Sequence, residues 1–168
     1  MRKPFLINNF MIIRKIEEKD NIALGNIVQQ VLMELGAPKI GTAYSDPYLF
    51  SLFEIYNNTN TIYFVVEENE KIIGGAGIAA LENGPSEICE LQKMYFLPEA
   101  RGKGIATLVI EKCIEAASSF GFKKCYLETM PYMEHAQKLY RKFGFYYLDN
   151  PIGNTGHTSC PVWMMKDL

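Results

Sequence analysis

Apolar positions along the chain recur with two different spacings, and the two alternate. Phe10 to Ile16, "FMIIRKI", is rich in β-branched residues and is broken by "EEKDN", which predicts a strand. From Asn21 to Leu35 the apolar residues Ile22, Leu24, Ile27, Val28, Val31, Leu32 and Leu35 fall at helical spacing, and Gly36 stops the run. "DPYLFSLFEIYNN", Asp46 to Asn58, reads as a second helix with Asp46 as N-cap and Pro47 at its first position. Two strands follow, "TIYFVVEE" and "KIIGGAGIAALE", joined across "ENEK" as a tight hairpin. "NGPSE" turns the chain into the long strand "EICELQKMYFLP", which Pro98 ends.

A helix over Gly102–Phe120 places Ile105, Leu108, Val109, Cys113, Ala116 and Phe120 on one face, and Gly121 caps it. The strand "FKKCYLET" leads through "MPYM" to a short helix carrying Ala136, Leu139, Tyr140 and Phe143, ended by Gly144. "FYYL" and "VWMMKD" close the chain around the loop "DNPIGNTGHTSCP". The order β, α, α, β, β, β, α, β, α, β, β implies an α/β fold, a single domain over residues 10–168 with one mixed central sheet flanked by helices on both faces. Residues 1–9 carry no pattern and read as a lead-in that is disordered.

Composition narrows the function. The 168 residues are 48% hydrophobic, enough for one globular core, and carry a net charge of −2. That charge offers no general attraction to nucleic acid or anionic lipid, so neither is an expected partner, and any basic site must be local. It also argues mildly against a cleft dedicated to polycationic amines, although a few local carboxylates would suffice for one. No apolar run approaches bilayer length and no secretory leader is evident, so a cytoplasmic protein is expected. Cys89, Cys113, Cys125 and Cys160 lie far apart and read as buried free thiols. His135 and His157 have no partner at metal-ligand spacing, so no metal is expected.

The most distinctive stretch is "LPEARGKGIA", Leu97–Ala106, where glycines and cations sit between a strand and a helix. A helix N-terminus leaves backbone N–H groups unpaired and favours anions, and glycine lets a phosphate approach them closely. The Walker pattern is absent, because no Ser or Thr follows Lys103. "GGAGIAA" matches a dinucleotide fingerprint through Gly75, Gly77 and Ala80, but "ENGPSE" leaves no room for its helix. Those glycines therefore read as a strand under close packing.

"LPEARGKGIA" matches R/Q-x-x-G-x-G/A through Arg101, Gly104 and Ala106, and "AQKLYRKFGF" answers it downstream with Tyr140 and Phe143-Gly144-Phe145. With these two motifs at that separation the chain resembles the GNAT superfamily of N-acetyltransferases, in element order from about residue 11 onward. The resemblance implies acetyl-CoA as cosubstrate, its pyrophosphate on the backbone of Arg101, Gly102, Lys103, Gly104, Ile105 and Ala106. Its pantetheine arm would pair with Met94, Tyr95 and Phe96, where two strands splay apart. Relatives often carry Asn at the position of Met133, so that side-chain contact is replaced here.

The same resemblance implies direct transfer to a primary amine, on a small molecule or a peptide, through a ternary complex; homodimers are common among such enzymes. An alkyl ammonium with pKa near ~10.4 needs a base, and Glu90 is the candidate, with Glu87 as a nearby alternative. A backbone amide near Met94–Phe96 would meet the oxyanion. Tyr140 is the candidate acid for the departing thiolate, or else a core aromatic. His157 and Cys160, in the last loop, are candidate acceptor contacts; a Cys–His nucleophile pair would lack an orienting third residue. A non-catalytic CoA-binding or sensory module on the same fold is the alternative.

Overall fold

Alternating strand and helix periods build one eight-stranded sheet. The computed structural model describes residues 5–8 and 10–168. The strands are β1 (Phe5–Asn8), β2 (Met11–Lys15), β3 (Ile62–Glu68), β4 (Lys71–Ala80), β5 (Ile88–Phe96), β6 (Lys124–Thr129), β7 (Tyr146–Leu148) and β8 (Val162–Asp167). The helices are α1 (Asn21–Glu34), α2 (Leu52–Tyr56), α3 (Ile105–Ser119) and α4 (Glu134–Lys142). Spatial order is β1-β2-β3-β4-β5-β6-β8-β7, with β5 and β6 parallel and every other neighbour antiparallel.

Side-chain alternation sends the two faces to different helices. On β3, Ile62 and Val66 join α3 residues Ile105, Val109, Ile110 and Cys113 and α4 residue Tyr140 in the larger core. Tyr63 and Val65, one step out of phase, pack against Leu24 of α1 and Leu52 and Tyr56 of α2. Helices therefore cover both faces, as the element order implies.

Four expectations change. The lead-in is not patternless in the fold: Phe5–Asn8 pairs antiparallel with β2 as the edge strand, while residues 1–4 and 9 lie outside the described residues. The helix expected over Asp46–Asn58 shrinks to Leu52–Tyr56, because Asp46 is drawn into a distant ion pair rather than capping a helix. Ile22 and Leu35, assigned to the buried stripe of α1, are 62% and 38% exposed; the first stands in the opening turn of the helix and the second just past its end. Finally, α3 begins at Ile105, three residues later than expected. Gly102 and Gly104 adopt φ of +72° and +73°, a left-handed conformation that helix geometry excludes and that glycine tolerates.

The sheet's one parallel pair positions the site. β5 and β6 are paired only from Ile88–Glu90 to Lys124–Tyr126; beyond Glu90 the strands separate, and Met94, Tyr95 and Phe96 line the cleft between them. At the same point β5 bulges against β4. Gly77 faces Gln92 and Gly75 faces Tyr95, so Lys93 and Met94 together oppose Ala76, with Lys93 at φ +48°.

Candidate active site

The splayed strands open a cleft of about 470 Å³ that runs from Glu90 to the N-terminus of α3. Arg101, Gly102, Gly104, Ile105 and Ala106 line one end; Lys103 does not. The two cations of this segment are held from the side: Arg101 Nη1 lies 2.6 Å from Glu34 Oε1 of α1, and Lys103 Nζ lies 3.3 Å from Glu68 of β3. The local chemistry offered to an anion is thus mainly backbone. A Cβ at Gly102 or Gly104 would meet nothing within 4 Å, so both positions border open space.

A second cleft of about 500 Å³ meets the first at Glu90, Gln92, Lys93 and His157. Its walls come from the 41–48 segment, the start of the β4–β5 turn, and the loop before β8. Glu90 stands at the junction, 4% exposed, and Gln92 Nε2 donates to its Oε2 at 2.7 Å. Gln92 is itself fixed by the Tyr56 hydroxyl, which donates to Oε1 at 2.7 Å. Burial is the main influence on the Glu90 carboxyl, and with the nearby charge of Glu128 it outweighs the Gln92 hydrogen bond, so the pKa is pushed up to about 7. Glu87, the alternative base, is exposed and lines neither cleft.

His157 lies beside Glu90 although 67 residues separate them in the chain. Its Nε2 is 2.9 Å from Asp46 Oδ1, and one ring nitrogen lies within 4.8 Å of carboxylate oxygens on both Glu90 and Glu128. Burial weakens the basicity of the imidazole, but the Asp46 hydrogen bond and charge outweigh it, and the pKa ends above its ordinary value. Asp46 also holds Lys93 Nζ at 2.7 Å through its other oxygen. Burial opposes ionisation of Asp46, yet the His157 hydrogen bond and the Lys93 charge keep its pKa below the ordinary carboxylate value.

Glu128 accepts from the Tyr126 hydroxyl at 2.8 Å and from Thr155 Oγ1 at 2.6 Å. Glu90, Glu128 and His157 thus bring three metal-capable side chains together, which sequence spacing does not reveal; two of their oxygens at least are committed to hydroxyl donors.

Tyr140 is 7% exposed and packs its ring 5.9 Å from that of Phe145, so it is a core aromatic. It also lines the first cleft. No described residue hydrogen-bonds its hydroxyl, and that oxygen is not sealed from solvent, so it opens on the cleft. Burial raises its pKa. Cys160 lines the same cleft at 8% exposure, its thiol pushed up to about 12 chiefly by burial. The imidazole of His157 is directed to Asp46, so no Cys–His nucleophile pair forms.

Asp46, Lys93, Gln92, Tyr56 and Glu128 are the participants that sequence reasoning missed. Asp46 carried a signal, an Asp-Pro pair ahead of an apolar run, but it pointed to a cap.

The family model "Acetyltransferase (GNAT) family" matches residues 30–145, more than half of the chain. The chain belongs to the GNAT acetyltransferase family. The uncharacterized N-acetyltransferase YjgM of Escherichia coli strain K12 is 42% identical to this acetyltransferase over 159 residues, 94% of this chain and 95% of that one. Among solved structures, a GNAT family acetyltransferase from Staphylococcus aureus Mu50 superposes with a TM-score of 0.82 at 20% identity, covering 94% of this chain and 99% of the other. YncA from Salmonella typhimurium, a putative acetyltransferase solved with its cofactor acetyl-CoA, gives 0.77 at 18% identity and 95% coverage of each chain. These structures share the GNAT fold, including the mixed sheet. Among the described residues no helix is long and apolar enough to cross a membrane.

Proposed function

We propose that this acetyltransferase passes the acetyl group of acetyl-CoA directly to a primary amine, with Glu90 receiving the amine's proton. The observation that carries the reading is a buried carboxyl, titrating near neutrality, at the junction of one cleft suited to a long thioester and another suited to a polar acceptor. Acetyl-CoA supplies the activated acyl group. The edge of β5 that β6 leaves at Met94–Phe96 offers backbone partners to the pantetheine arm, although the Phe96 carbonyl already accepts from Arg101 Nη2 at 3.2 Å. The N–H groups from Gly102 to Ala106 serve its pyrophosphate, since that of Arg101 is donated to the Pro98 carbonyl at 3.1 Å. The open space at Gly102 and Gly104 fits that phosphate, and the bound cofactor of YncA, on the same fold, supports the assignment.

With its pKa near neutrality, a substantial fraction of Glu90 is ionised at pH 7 and ready to accept a proton, and Gln92 aims the carboxylate by holding Oε2. His157, backed by Asp46, is the second proton acceptor, toward the mouth. The amine nitrogen forms its bond to the acetyl carbon as the carbon–sulfur bond breaks. A backbone N–H at the Lys93–Met94 bulge meets the charge developing on the carbonyl oxygen, and the Tyr140 hydroxyl protonates the departing sulfur. Since burial makes that phenol a weaker acid, its proton transfer must accompany bond cleavage. The neutral, buried Cys160 thiol supports one-step transfer over a covalent relay.

Calorimetry with acetyl-CoA tests the first half: micromolar binding is expected, and its loss in Gly104→Glu, which adds bulk, charge and an unfavourable φ where the phosphate sits. Absence of binding by the parent protein removes the reading. The second half is tested by Tyr140→Phe, expected to lower kcat by about 10- to 100-fold while acetyl-CoA still binds. Unchanged turnover would leave Tyr140 as a packing residue only.

A further inference from the structure

The charges at the reacting end of the acceptor cleft are unevenly paired. Its Lys93 ammonium and His157 imidazole share one carboxylate, Asp46, and both are largely withdrawn from water, at 11% and 18% exposure. Asp46 takes one of the three Nζ–H donors of Lys93 and the Nε2 of His157. The remaining carboxylates have no cation bound to them. Glu90 takes a hydrogen bond from the neutral Gln92, and Glu128 takes two from neutral hydroxyls. Glu82 lines the rim, exposed, and among the described residues no cation pairs with it. The cleft thus holds surplus negative charge at its floor and rim, although the whole chain is near neutral.

We infer that the acceptor is an aliphatic amine carrying a second positive charge and no carboxylate beside the reacting nitrogen, a short α,ω-diamine or the end of a longer polyamine. This rests on the acetyl-transfer reading above. An α-amino acid would bring its carboxylate against Glu90 and Glu128, whose oxygens already lie within 4.8 Å of one another. A diamine places one nitrogen at Glu90 and the other toward Glu82. Glu90 pairs with Ala79 across the sheet, and Glu82 follows three residues later. Both carboxylates line the same cleft, so a short flexible diamine can reach from one to the other.

The test compares kcat/KM at saturating acetyl-CoA, read as thiol release, for 1,4-diaminobutane and 1,5-diaminopentane. The controls are butylamine, pentylamine and a set of α-amino acids. The diamines are expected to exceed both control groups by about 10- to 100-fold, the worth of one charge-assisted contact. Glu82→Gln, a surface change, is expected to shrink the advantage over monoamines. Asp46→Asn, which releases Lys93 and His157, is expected to move preference toward α-amino acids; should that variant fail to fold, Glu82→Gln decides alone. Amino acids turned over as well as or better than diamines, or a diamine preference unmoved in Glu82→Gln, overturns the inference while acetyl transfer stands. Acetyl-CoA binding with no amine turned over sinks both.

Discussion

Glu90→Gln is expected to lower kcat/KM for the amine by about 10²- to 10⁴-fold and to remove the acid limb of its pH profile. The wild-type limb should rise with pH through about 7, because Glu90 must be ionised to accept a proton and its pKa is pushed up to about 7. The same residue should make stability pH-dependent, with a sign opposite to that of a salt-bridged carboxylate. Its folded pKa lies above its ordinary value of 4.5, so between the two the folded chain binds more protons than the unfolded chain.

That contribution is fully present below about 4.5 and is lost as pH rises through 7. At alkaline pH the buried charge then costs about 3 kcal/mol relative to the protonated carboxyl. Gln, of the same shape but uncharged, should therefore melt higher than the wild type near about pH 8 and close to it near about pH 5. Kinetic profiles and thermal melts at both pH values check this. An intact acid limb in the variant would assign the limb to another group, His157 first.

Gly77→Val is expected to destabilise the fold by about 3 kcal/mol, near the upper end of ordinary overpacking. A Cβ at Gly77 would stand 2.6 Å from Tyr63 Cδ2, 2.8 Å from Tyr56 Cε1 and 3.0 Å from the Ile62 carbonyl oxygen. The two rings pack at a tilt, 5.1 Å between centroids, and are buried, so neither can turn aside, and the carbonyl belongs to the sheet ladder. At about 2–4 °C per kcal/mol for a chain of this size, Tm should fall by roughly 6–12 °C. The damage should reach the site as well. Tyr56 holds Gln92 and Gln92 holds Glu90, so activity below Tm is expected to drop along with stability. A fully stable variant would mean that β3 and β4 can separate locally, against this packing.

The packing role of these glycines is legible in the sequence, since "GGAGIAA" in a strand with no following helix points to close packing rather than to a nucleotide. So are the strand and helix order from β2 onward and the glycine turn at Gly102–Gly104 that precedes α3. Each depends on residues close in sequence, where hydrophobic period and backbone preference act directly. Glu90 and Tyr140 are legible as candidates, because the linked motifs place them.

What the sequence left open lies across long separations. Asp46 and His157 are 111 residues apart, and Tyr56 and Gln92 are 36 apart. Asp46 looks like a helix cap because its neighbours suit one; in the fold, the half-buried Lys93 ammonium and His157 imidazole outcompete the backbone N–H groups it would have capped. By itself, then, the sequence determined the order of elements from β2 onward, the glycine turn ahead of α3 and the family. Only the tertiary structure decided which charges face one another in the acceptor cleft. Pairing and pKa depend on distance and burial, and those exist only once the 41–48 segment, β5, β6 and the loop before β8 have been folded together.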